Sequence, residues 1–109
     1  MLNVECAMLF PVSSAESVQA AFAGYPASLL CGVESTGIAT DWTYQESENA
    51  PPQMISVNGS LISDDHADRY TINDSSLIVN EVRASNAGIY ICGHGSQLFH
   101  KLQLNVDGM

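Results

Sequence analysis

Apolar and polar residues alternate along this chain in short runs, and turn-forming residues separate the runs at steady intervals. Period two sends successive side chains to opposite faces, so such runs read as half-buried strands. In residues 27–31, Ala27, Leu29 and Cys31 share a face; in residues 41–45, Trp42 and Tyr44 do. Residues 53–57 and 60–63 flank Asn58-Gly59, a pair suited to the positive φ values of a two-residue hairpin. Residues 69–72 and 77–79 bracket a second turn at Asn73-Asp74-Ser75-Ser76. Asn86-Ala87-Gly88-Ile89-Tyr90-Ile91-Cys92 reads as a tight corner feeding a strand. Tyr90 and Cys92 lie on one face of that strand, Ile89 and Ile91 on the other. A buried Tyr90 hydroxyl needs a partner, and backbone groups just upstream are nearest.

The remaining segments fit around these. Residues 4–13 read as a first strand that Pro11 confines to an edge or a bend, and residues 17–22 as an edge strand. Residues 46–52, with two acids and two prolines, form a turn or loop. Residues 81–85 form a single helical turn. Residues 93–97 make a short glycine-bearing loop, and a last strand sets Leu102, Leu104 and Val106 on one face. No segment holds a helical period beyond one or two turns. About nine short strands with turns between them predict an all-β, two-sheet antiparallel sandwich.

Composition narrows the partners. With 109 residues, 46% of them hydrophobic, the chain makes one domain with a modest core. Residues 1–12 form an N-terminal segment, 13–106 the domain and 107–109 a tail. Twelve acids face only Arg69, Arg83 and Lys101, for a net charge of −9. So few cations exclude a surface that tracks phosphates, and with it nucleic acid or an anionic membrane as partner. No apolar run approaches the ~18 residues of a membrane span, so no membrane insertion is expected. The N-terminus lacks a basic n-region, and Ser13, Ser14, Glu16 and Ser17 interrupt its apolar stretch, which argues against a signal peptide and for a mature fragment. Cys6, Cys31 and Cys92 are widely spaced, and Asn58-Gly59-Ser60 and Asn73-Asp74-Ser75 are glycosylation sequons at turns. Together they favour a secreted or cell-surface setting.

No cofactor, metal or enzymatic activity is expected. Asp64-Asp65-His66-Ala67-Asp68 lacks the ligand spacing of a calcium loop and reads as a solvated acidic turn. His66, His94 and His100 have no cysteine or carboxylate at zinc-ligand spacing. No nucleophile–base pair or phosphate loop occurs.

Cys31 and Trp42 are eleven positions apart, Cys92 follows Cys31 by 61, and Asn86-x-Gly88-x-Tyr90-x-Cys92 precedes the last strand. In these features, with Arg69-Tyr70-Thr71-Ile72 and Leu77-x-Val79, residues 13–106 resemble a V-type immunoglobulin domain. The pair around Asn58-Gly59 matches the two extra strands of that type. The resemblance implies a Cys31–Cys92 bridge between the sheets, with Trp42 against it and Tyr90 bonded at the corner. Closing so long a loop restricts the unfolded chain by ~4 kcal/mol. Alternation along the strands gives the core as Ala27, Leu29, Cys31, Trp42, Tyr44, Tyr70, Ile72, Leu77, Val79, Tyr90, Cys92, Leu102, Leu104 and Val106. Two departures stand out. Asn86 takes the place of the family's Asp, so its pairing with Arg69 becomes neutral and the corner softer. Phe99-His100-Lys101-Leu102 lacks the Phe-Gly-x-Gly of joining segments, so the last strand is expected to run straight, without a bulge.

With Tyr90 and Cys92 inward, Thr43, Gln45, Ile89, Ile91, Phe99 and Lys101 share the opposite face. Gln45 matches the glutamine that paired variable domains use across their interface. An apolar patch rimmed by polar groups marks an interaction surface, here for a protein partner, either a second copy in a homodimer or another immunoglobulin-type receptor. Glycans on Asn58 and Asn73, and the short loop after Cys92, weigh against recognition by loop tips. The other readings are that loops cover Ile89 and the surface apolars are incidental, that the loop end or acidic loop binds a carbohydrate or small ligand, and that the domain is a spacer. Cys6, the odd cysteine, is read as a quiet semi-buried thiol, a cross-link to another chain, or a cysteine whose partner lies outside this fragment.

Overall fold

The computed structural model describes residues 15–31, 39–62, 67–73, 75–95 and 97–108. The expected first strand over 4–13, Cys6, His66 with its neighbours Asp64 and Asp65, and most of the loop after Cys31 lie outside the described residues.

Where alternation was regular, strands form. They are β1 (Ala15–Phe22), β2 (Ala27–Leu29), β3 (Asp41–Gln45), β4 (Gln53–Val57), β5 (Ser60–Leu61), β6 (Tyr70–Asn73), β7 (Ser76–Val79), β8 (Gly88–His94) and β9 (Gln97–Asp107). The larger sheet runs β1-β9-β8-β3-β4-β5 and the smaller β2-β7-β6. The β4–β5 turn is the expected hairpin: Val57 pairs with Ser60, and Asn58 and Gly59 take φ of 52° and 83°. All strand pairs are antiparallel except β1 with β9, which run parallel. No hairpin ties those two strands together, because they stand at opposite ends of the described chain, and a long connection permits parallel pairing.

The core lies between the sheets. Trp42, Tyr90, Cys92, Leu102 and Leu104 from the larger meet Leu29, Tyr70, Leu77 and Val79 from the smaller. A Cys31–Cys92 disulfide, Cα–Cα 5.8 Å, joins them. The architecture is all-β with two sheets and a disulfide, immunoglobulin-like in general character. Every residue of the expected core is buried in it or packed against it.

Ala21, Ile55, Val82 and Phe99 join that core without having been expected there. Two of the four follow from bulges. The β3–β4 register shifts between Trp42 and Thr43, so Ile55 and Ser56 are both buried, and the Ser56 hydroxyl accepts the Trp42 N–H at 3.1 Å. The last strand does not run straight either. Leu98 pairs with Gly93 and His100 with Cys92, which leaves Phe99 as one extra residue. That bulge resets the alternation: Phe99, expected on the outer face, is 9% exposed and packs in the core.

The corner before β8 is a short 3-10 turn, Ala84–Asn86. The Tyr90 hydroxyl donates to the Asn86 carbonyl at 2.7 Å. Burial raises the Tyr90 pKa far above its ordinary value and keeps the hydroxyl protonated as a donor. Tyr44 stacks obliquely on Tyr90, with centroids 5.0 Å apart, and donates to the Ala87 carbonyl at 2.7 Å. The side-chain oxygen of Asn86 accepts the Arg83 N–H at 2.7 Å and closes the turn on itself. No bond joins Asn86 to Arg69 among the described residues, so the expected neutral pairing gives way to local capping. Gly88 enters the strand at φ 148°, where an added Cβ would lie 2.7 Å from Tyr44 Cε1 and 2.8 Å from the Gln45 carbonyl oxygen. Gly88→Ala is expected to cost roughly 2–3 kcal/mol, measured as a lowered urea midpoint with an unchanged slope.

Candidate functional site

Cross-strand register sets the outer face of the larger sheet in two rows. One runs Glu16, Lys101, Ile91, Thr43 and Met54; the other Val18, Gln103, Ile89 and Gln45. Thr43, Gln45, Ile89, Ile91 and Lys101 therefore stand together as expected, while Phe99 has left for the core.

Their exposure differs from a flat open patch. Ile89 is 7% exposed, whereas Ile91 is half-buried and Val18 and Met54 are exposed. Ile89 is covered by polar neighbours. The loop after β3 brings Glu48 over the sheet, where its carboxylate pairs with the Lys101 ammonium at 2.9 Å. The hydrogen bond that Lys101 donates to Glu48, and the charges of Glu48 and Glu16, outweigh desolvation and raise the Lys101 pKa. Gln45 holds that loop, donating from Nε2 to the Ala50 carbonyl at 2.9 Å. One of its two amide N–H donors is thus used inside the chain. Between Val18, Glu16, Lys101, Glu48 and Gln103 a depression of about 180 Å³ remains, with Ile89 in it. β1 thus adds Glu16 and Val18 to the face. Only the β1–β9 pairing, which alternation does not reveal, could have pointed to them.

The loop end is knit together by one carboxylate. Asp41 accepts the Asn58 N–H at 2.6 Å and the Gly95 N–H at 3.2 Å. The Thr40 carbonyl accepts from Gly59 N–H at 2.9 Å, and the Ser75 carbonyl accepts from Trp42 Nε1 at 3.3 Å and Thr40 Oγ1 at 3.4 Å. The turns carrying Asn58 and Asn73, both exposed, therefore gather at this end, as the glycan argument requires.

The opposite end holds a larger cavity, about 500 Å³, bordered by Asp68, Arg69, Tyr70, Glu81, Arg83 and Asn86. Its two cations are matched by two carboxylates, and Arg83 lies 3.6 Å from Glu81 in an exposed pair of small energetic weight. Among the described residues, no three His, Cys, Asp or Glu side chains gather as a metal site, and no helix is long and apolar enough to cross a membrane. No protein-family model matches the chain, and no curated protein matches it.

Asp41→Ala removes the acceptor of two backbone amides. It should speed hydrogen exchange at Asn58 and Gly95 while Tyr90 stays protected, at a cost of about 1 kcal/mol in global stability.

Proposed function

We propose that this chain is a V-type immunoglobulin recognition domain of a secreted or cell-surface protein, binding a protein partner through the outer face of its larger sheet. The setting is adhesion or immune recognition. The strand order β1-β9-β8-β3-β4-β5 carries the reading: β4 and β5 extend the larger sheet on the far side of β3, and widen the face on which Thr43, Ile91 and Lys101 stand. The Cys31–Cys92 disulfide supports an oxidising compartment. Recognition by the sheet rather than the loop tips is supported by the loop end itself. Its turns are tied to Asp41 and Thr40, and two sequons crowd it.

A second copy is the first partner to test, since self-complementary faces make the commonest oligomers. Sedimentation of the wild type and of Ile91→Lys checks that form, and a wild type that stays monomeric at high concentration leaves a foreign partner. For a foreign partner, the multimerised domain is applied to an array of ectodomains. Hits should be lost with Ile91→Lys and kept with Gly95→Ser at the loop end, by at least about tenfold in affinity. The reverse pattern would contradict the sheet-face reading.

A further inference from the structure

The depression over Ile89 joins an exposed apolar wall, Val18, to an acidic rim. We infer that it receives a cationic side chain, arginine or lysine, from the partner, so that the partner's contact surface is basic and is not a second copy of this chain. The inference rests on the sheet-face reading above and specifies its partner.

The shape comes first. Val18 is 67% exposed at the edge of the depression, so an aliphatic stem entering there gains its apolar contact on Val18, while Ile89, already almost wholly covered, only closes the bottom. Long basic side chains bury such stems on apolar surface while keeping the charged head at a polar rim. The rim here carries Glu16 and Glu48, both exposed.

Charge then selects the occupant. One ammonium, Lys101, serves both carboxylates, bonded to Glu48 and beside Glu16 in register, which leaves the rim one negative charge in excess. The whole chain carries −9 and steers cationic surfaces toward it. A second copy meets neither requirement. It brings another −9, and of its three cations Arg69 and Arg83 border the cavity at the far end, while Lys101 is already paired. Two such faces would oppose glutamates to glutamates.

Lys101 is then an internal competitor for the incoming cation, and this gives the test an unusual sign. The probe is the capped tripeptide acetyl-Gly-Arg-Gly-amide, titrated into ¹⁵N-labelled domain, with the citrulline peptide as its neutral counterpart. Shifts should be confined to the amides of residues 16–18, 48, 89 and 101–103. They should weaken with added salt, be absent with citrulline, fall about tenfold in affinity in Glu16→Gln or Glu48→Gln, and strengthen in Lys101→Gln. Shifts elsewhere, equal shifts with citrulline, or weaker binding by Lys101→Gln would overturn the inference. Sedimentation of the same sample separates the two readings. A wild-type dimer that Ile91→Lys dissociates would overturn the basic partner while leaving the sheet face standing.

Discussion

The Cys31–Cys92 link is the constraint on which the rest of the structure depends. It joins the chain just beyond β2, on the smaller sheet, to β8 at the centre of the larger one, 61 positions later. Once Cys92 points into the core, period two fixes Tyr90 inward as well, and pairing with β3 and β9 places Trp42 and Leu102 beside them. The inner half of β8 is then consumed by the fold, in the Tyr90–Asn86 bond and the Tyr44 stack. The same geometry forces Ile89 and Ile91 outward, where the described residues form no further sheet and the loop after β3 lies over Ile89.

Most of the fold was legible because its signals are local. Alternation in β2, β3, β7 and β8 carries the core, and Asn58-Gly59 carries a hairpin whose backbone angles only such residues adopt readily. What escaped alternation was its interruption. A bulge adds a residue without any compositional mark, so Phe99 moved from the outer face to the core, and Ile55 and Ser56 were buried in succession. The parallel pairing of β1 with β9 is equally silent in sequence, since it joins segments more than eighty positions apart.

The candidate site was legible to the same extent. Register follows from strand pairing, so the company of Thr43, Gln45, Ile91 and Lys101 could be read from the chain. Side-chain commitments could not. Gln45 turned to its own loop, Glu48 crossed the sheet to Lys101, and Ile89 sank beneath them. These are tertiary choices between solvent and a neighbour, made by residues far apart in sequence. They convert a presumed flat apolar patch into a small cleft with a charged rim, and they move the face's exposed apolar contribution towards Val18 and Met54.

Carboxyl footprinting of the domain bound to a partner recovered from the ectodomain array tests the central claim, that the larger sheet's outer face is the contact. Glu16 and Glu48 should lose reactivity on binding, while Asp68 and Glu81, at the far cavity, keep theirs. Unchanged reactivity at Glu16 and Glu48, with protection at Asp41 beside the loop end, would contradict it.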